Sequence, residues 1–293
     1  MKFCNAKLCS VLLSVFACAT LVVAQEKAKD VSGSDSLRTQ LRAISAGGNN
    51  AARRTAITRR LDELGIKYRL DKFSDGGLSG TNIVAELQPT GQKVLMLGAH
   101  YDRVEQGKGA IDNASGTTAV LELLAALSAN PLKNHSVSAV FFDLEEEGLV
   151  GSANYSRALA KKDLPEVFIN FDVFGYGDTL WVGARNPKAG AALAVAEVAA
   201  TTKFPLQIGP AYPPSDHLSF HRAGVESLSI SLIDGSEIPG ILSIFSGGHP
   251  EKPPRVMTII HTKGDTLDKI DFPAVSRALP IVEQVVRAID ERP

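Results

Sequence analysis

The chain has 293 residues, 44% of them hydrophobic, with 31 basic and 32 acidic side chains for a formal net charge of −1. That balance points away from nucleic acid as a partner. The length suffices for one large α/β domain with a substantial core, and no repeat, low-complexity tract or linker divides it.

In chain order, Met1 to Lys7 carries two lysines and no acid, and Leu8 to Ala24 is almost wholly apolar. This is the layout of a secretory signal over residues 1–24, with Val22, Val23 and Ala24 suiting cleavage before Gln25. An uncleaved anchor and lipidation at Cys18 are the alternatives. All three cysteines, Cys4, Cys9 and Cys18, fall in this segment, so the mature chain has no disulfide framework and no thiolate ligands. Any metal must bind through His, Asp and Glu. The triplets at Asn113, Asn134 and Asn154 have the form of glycan acceptors, but Asn113 sits among the candidate site residues. The expectation is therefore an exported bacterial protein, periplasmic or extracellular, with no membrane role beyond export. Without residues 1–24 the chain keeps 29 basic against 32 acidic residues, a net −3. Residues 25–35 read as a flexible lead-in and 36–293 as a single domain.

Apolar positions from Ser36 to Leu64 recur at helical spacing, broken by Gly47-Gly48, which predicts two amphipathic helices. Strands are predicted at Lys67 to Phe73, Asn82 to Leu87 and Lys93 to Gly98, the last as a continuous apolar run suited to the middle of a sheet. A buried helix is expected over Gly116 to Leu127, a buried strand over Val137 to Phe142 and a helix over Ser152 to Leu159. Strands at Val167 to Phe171, Thr179 to Val182 and Glu226 to Leu232 then alternate with helices at Pro187 to Thr201 and Asp216 to Arg222, and Asp271 to Ile289 closes the chain. The stretch Ile238 to Phe245 reads as an unusually apolar loop fit to line a pocket, or simply packed on the core. Such alternation implies a three-layer α/β/α sandwich around a mostly parallel or mixed sheet, with sites outside the carboxyl ends of the strands.

The histidines and acids cluster at those ends. His100 and Asp102 follow one buried strand, Glu145 and Glu146 the next, Asp172 ends a third, and Asp112 precedes a helix. Charges gathered at the edge of a core are costly unless paired or bound to a cation. His100-Tyr-Asp102, Asp112-Asn-Ala-Ser-Gly116, Glu145-Glu146-Glu147-Gly148-Leu149-Val150-Gly151-Ser152, Asn170-Phe-Asp172, Ser215-Asp216-His217 and His261-Thr-Lys-Gly-Asp265-Thr266, in that order, resemble the M28 metallopeptidase family from about Asn82 onward.

The resemblance implies a zinc-dependent exopeptidase fold and an aminopeptidase acting on peptide or protein N-termini. It implies two zinc ions, one held by His100 and Asp172, the other by Glu146 and His261, with Asp112 bridging. Glu145 becomes the general base, because Gly148-Leu149 fixes the register of the glutamate run, and Glu147 is left solvated. The chemistry agrees with this division: zinc accepts imidazole and carboxylate, paired ions acidify a shared water and polarise the scissile carbonyl, and a separate carboxylate must still carry the proton. Asp102 is spaced to accept a hydrogen bond from His100 in the second shell of ligands. Tyr212 resembles a family tyrosine that steadies the developing oxyanion, although the cysteines flanking it in some relatives are absent. Asp216 and His217 border the pocket or belong to a structural network. His135, His221 and His249 are read as non-ligands. The competing readings are a glutaminyl cyclase, against which His100 and Asp172 argue, a carboxypeptidase or dipeptidase, and a non-catalytic peptidase-like binding domain. The oligomeric state is not legible.

Overall fold

The computed structural model describes residues 35–292 apart from Ala189, so the expected signal segment and nearly all of the lead-in lie outside the described residues. Helix α1 spans residues 35–45. It is followed by α2 (Asn50–Glu63), β1 (Lys67–Asp75), β2 (Leu78–Glu86), β3 (Lys93–His100), α3 (Gly116–Ala129), β4 (His135–Phe142), α4 (Val150–Ala158) and β5 (Val167–Phe174). Then come β6 (Thr179–Ala184), α5 (Gly190–Thr202), β7 (Leu206–Gly209), α6 (His217–Arg222), β8 (Glu226–Ile233), α7 (Ile238–Phe245) and α8 (Phe272–Asp290).

The eight strands form one mixed sheet in the order β1-β2-β4-β3-β5-β8-β6-β7. Its centre is parallel: β3 pairs in parallel with β4 and β5, and β5 with β8. The carboxyl ends of β3, β4 and β5 therefore open on the same edge. Period-2 alternation sorts the central strands between two apolar layers. Leu95, Leu97, Ala99, Val137, Ala139, Phe141, Val167, Ile169 and Phe171 face the layer that includes α3, α5 and α8. Met96, Val140, Phe142 and Phe168 face the smaller layer with Tyr155 of α4 and Phe220 of α6. There the Phe168 and Phe220 rings stack with centroids 3.9 Å apart. Strands covered on both faces become continuous apolar runs, which is why β3 and β4 read so clearly in the sequence.

Four local features depart from the sequence reading. Ile238–Phe245 is a helix, not a loop, with a proline in its first turn. Proline is tolerated there because the N–H it lacks would have no helical partner. Gly240 inside α7 costs about 1 kcal/mol, which is outweighed by burying Ile238 and Ile241 at about 1.5–3 kcal/mol each. Helix α5 begins at Gly190 rather than Pro187, where the Ala191 N–H donates to the Glu226 carboxylate at 2.6 Å, a cap supplied from 35 residues away. The short edge strand β7 has only four residues, too few for alternation to register. Strand β5 runs beyond Asp172 to Phe174, with its register against β8 broken between Phe171 and Phe174.

Candidate metal centre

Three parallel strands deliver the site. His100 is the last residue of β3, and β4 ends at Phe142, three residues before Glu145. Asp172 sits at the irregularity of β5. Helix α3 approaches β5 so closely that a Cβ on Gly116 would lie 2.4 Å from the Phe171 carbonyl oxygen. The turn preceding α3 brings Asp112 to the same edge. Asn113 fastens that turn to β5, donating to Phe171 O at 2.8 Å and accepting from Val173 N–H at 3.2 Å. Asn113 is fully buried, so its triplet offers no accessible glycan acceptor. His261 comes from the segment before α8 and, at 54%, is the most exposed of the group.

The two oxygens of Asp112 face different partners. Its Oδ1 lies 3.2 Å from His100 Nε2, which is also 3.5 Å from Asp172 Oδ1. Its Oδ2 lies 3.1 Å from His261 Nε2, which is itself 3.1 Å from Glu146 Oε2. Two three-residue donor sets result, His100/Asp112/Asp172 and Asp112/Glu146/His261, with the donor atoms of each within 4.8 Å of one another. Among the described residues, Glu146 Oε1 and Asp172 Oδ1 are buried without a hydrogen-bond partner. Orphaned buried carboxylate oxygens are costly in a finished core and ordinary in a cation site. The nitrogen and oxygen donors suit zinc. Glu145 lines the same cavity yet belongs to neither set.

Electrostatics point the same way. Burial works against charge at Asp112, but hydrogen bonds from His100 and His261 hold its carboxyl well below the usual range. Hydrogen bonds to Asp112 and Glu146 raise His261 to about 10. Burial depresses His100, but Glu145, Asp102, Asp112 and Asp172 outweigh it and raise it well above the ordinary value. Both imidazoles thus sit where the surrounding carboxylates favour positive charge between them. Burial, followed by the opposed influence of His100 and the like charges of Asp216, Asp172 and Asp112, leaves Glu145 well above its normal range.

Second-layer partners hold these groups. Asp102 accepts from His100 Nδ1–H at 3.2 Å through one oxygen and from Glu146 N–H at 3.1 Å through the other, so one buried carboxylate orients groups from two strand ends. Asp143 accepts from Asn50 Nδ2 (2.7 Å), the Tyr101 hydroxyl (2.8 Å) and Thr81 N–H (3.0 Å), anchoring the turn that presents Glu145. Leu144, Val173 and His261 adopt left-handed backbone at φ 59°, 55° and 58°. Such conformations are costly for non-glycine residues and concentrate at functional sites.

Tyr212 lines the cavity, packed on Trp181 with centroids 4.6 Å apart. Its hydroxyl is bonded to Ser231, whose own proton goes to the Asp172 carbonyl, so the phenol donates to Ser231. Asp216 and His217 lie behind the wall rather than in it; burial pushes Asp216 up to about 7 and His217 down to about 3. Glu147 is exposed. His135 lies between Asp290 and Glu166, and His221 bonds Ser227, both outside the donor sets. The sequence reading gave no role to Asp143, Asp265 or Arg53. Asp265 stood within a quoted motif, whereas Arg53 carries no signal beyond being a basic residue in a helix.

Beside the donor sets opens a cavity of about 370 Å³, with Trp181, Ile233, Ile241, Phe245, Met257 and Ile260 in its wall.

The sequence profile described as peptidase family M28 matches residues 82–286. Aminopeptidase YwaD of Bacillus subtilis (strain 168) is 30% identical over 219 residues, which is 70% of this chain and 44% of that protein. Leupeptin-inactivating enzyme 1 of Streptomyces exfoliatus is 34% identical over 47% of this chain and 34% of its own length. The chain thus spans between a third and a half of the length of these curated relatives. A zinc aminopeptidase from Bacillus subtilis superposes with TM-score 0.60 at 25% identity, covering 72% of this chain and 50% of that one. Porphyromonas gingivalis glutaminyl cyclase superposes with TM-score 0.70 at 21% identity over 86% of this chain and 97% of its own, a likeness of fold.

Proposed function

The chain belongs to peptidase family M28, and on that premise we propose that it is a two-zinc aminopeptidase that removes apolar residues from peptide N-termini. The observation that carries this reading is the division of labour at Asp112, whose two oxygens address two separate imidazole–carboxylate sets. His100 and Asp172 would hold one ion and Glu146 and His261 the other, with Asp112 shared. Zinc bound there supplies Lewis acidity toward a carbonyl and makes a water more acidic.

The rest falls to the chain's own residues. Glu145, in the cavity wall and outside both donor sets, takes the proton of the attacking water and returns it to the leaving amine. Asp102 holds His100 in the tautomer that leaves Nε2 free for metal. To donate to an oxyanion, Tyr212 must turn its proton away from Ser231. The apolar wall of the cavity receives the first side chain of the substrate.

Leucyl-p-nitroanilide should be cleaved and its N-acetyl derivative left intact. Dialysis against a chelator should abolish turnover, zinc should restore it, and thiol reagents should have no effect because no cysteine occurs beyond Cys18. Cyclisation of N-terminal glutamine in place of cleavage would move the assignment to a glutaminyl cyclase. Release from the carboxyl end would move it to a carboxypeptidase, and absence of any turnover by the zinc-loaded protein to a binding domain. Across a series of aminoacyl anilides, leucyl and phenylalanyl substrates should exceed glutamyl in kcat/KM. Ile241→Asp should erase that preference, since a carboxylate placed in the wall must be desolvated against the apolar side chain. A preference unchanged by Ile241→Asp would place the side-chain pocket elsewhere.

A further inference from the structure

Asp112 and His261 lie far apart in sequence, yet one side chain ties their loops together. Asp265, only 1% exposed, accepts the Ile111 N–H through Oδ1 at 2.7 Å and the Asp112 N–H through Oδ2 at 3.1 Å. Its backbone carbonyl accepts the Lys108 N–H at 2.8 Å. From the other side Arg53 of α2, fully buried, donates to the carbonyls of Lys108 and Gly109, each at 3.2 Å. Gly109 is left-handed at φ 53°, and a Cβ there would stand 2.7 Å from Arg53 Nη1. The loop leading to Asp112 therefore has its N–H groups held by Asp265 and its carbonyls by Arg53.

A plain loop anchor would avoid a second buried carboxylate beside Asp112, because like charges in a dry site repel. Here the Arg53 guanidinium attracts Asp102, Asp112 and Asp265 together, which works against that repulsion. Burial and then the charge of Asp112 still leave the Asp265 carboxyl raised to about 6 against the pull of the Ile111 and Asp112 N–H groups. Two convergent N–H donors need two acceptor oxygens. A carboxylate has both; an amide has one and turns its NH₂ against the other donor.

We propose that Asp265 is a positioning residue that sets the Asp112 carboxylate between the two donor sets before any ion arrives, and couples it to His261, four residues before it in sequence. The proposal rests on the two-zinc reading of the site. Asp265 touches no reacting atom; its effect is on the affinity of both ions, since Asp112 is common to them.

The test is a zinc titration against a competing chromophoric chelator with the full chain, Asp265→Asn and Asp290→Asn. Asp290 does comparable anchoring at the far end of the sheet, accepting the N–H groups of Lys133, Asn134 and His135 at 2.8, 3.0 and 2.8 Å. Asp265→Asn should bind both zincs about 10–100-fold more weakly, as for loss of an outer-shell partner, while Asp290→Asn lowers Tm and leaves zinc affinity unchanged. Wild-type zinc affinity in Asp265→Asn, or an equal loss in Asp290→Asn, would overturn the proposal. Wild-type protein that takes up no zinc would instead sink the two-zinc reading. In that event, or if Asp265→Asn does not fold, hydrogen exchange of the metal-free wild-type protein decides. Protected amides at Ile111 and Asp112 support a clamp formed before the metal, and free exchange there refutes it.

Discussion

Glu145→Gln is expected to keep both zinc ions and a near-normal KM while kcat falls by about 10²–10⁴, the range for loss of a general acid–base group. The forecast comes from placement. Glu145 lines the cavity but neither of its oxygens joins a donor set, whereas its neighbour Glu146 lies 3.1 Å from His261. A glutamine side chain fills the same space and accepts hydrogen bonds through one oxygen, but it has no pair of electrons basic enough to take a proton. The turn itself should survive, because its anchors are Asp143 and the Asp102 bond to Glu146 N–H, neither of which uses the Glu145 side chain. Glu147→Gln, at an exposed position, should leave kcat unchanged and controls for the loss of charge alone. Zinc lost together with activity in Glu145→Gln would make Glu145 a ligand and end its assignment as the base.

Much of this was legible because buried parallel strands announce themselves. Lys93–His100 and His135–Phe142 are apolar runs that stop abruptly at polar residues, and in an open α/β sheet that stop marks the rim where sites assemble. His100, Glu146 and Asp172 fall at that rim and Asp112 just before a helix, while His261 and the division into ligands came only from the resemblance to the M28 family. What stayed hidden depends on proximity that periodicity does not encode. The cap on α5 comes from Glu226, and α7 was masked by a proline and a glycine that mark loops elsewhere. The grip of Asp265 and Arg53 on the Asp112 loop exists only after segments from three parts of the chain have met. Tyr212 illustrates the converse case. Its position beside the site could be anticipated, but the commitment of its proton to Ser231 could not.

Asp112→Asn should be the most damaging single change at the centre, costing metal at both positions and turnover with it. An aspartate carboxylate can give each ion a negatively charged oxygen, and its Oδ1 and Oδ2 already address His100 and His261 separately. Asparagine keeps one oxygen and presents NH₂ donors to the other set, so one ion loses a ligand outright and both lose the charge that offsets their mutual repulsion. The drop in affinity should therefore exceed the about 10–100-fold typical of outer-shell changes. Glu146→Gln provides the comparison, since Glu146 serves only the set with His261. It should weaken one ion and leave the His100–Asp172 position filled. Measured side by side as zinc per chain against kcat, the variants should rank Asp112→Asn with both ions weakened, Glu146→Gln with one, and Glu145→Gln with neither. If Asp112→Asn retained two tightly held ions, the sharing of the Asp112 carboxylate between them would have to be abandoned.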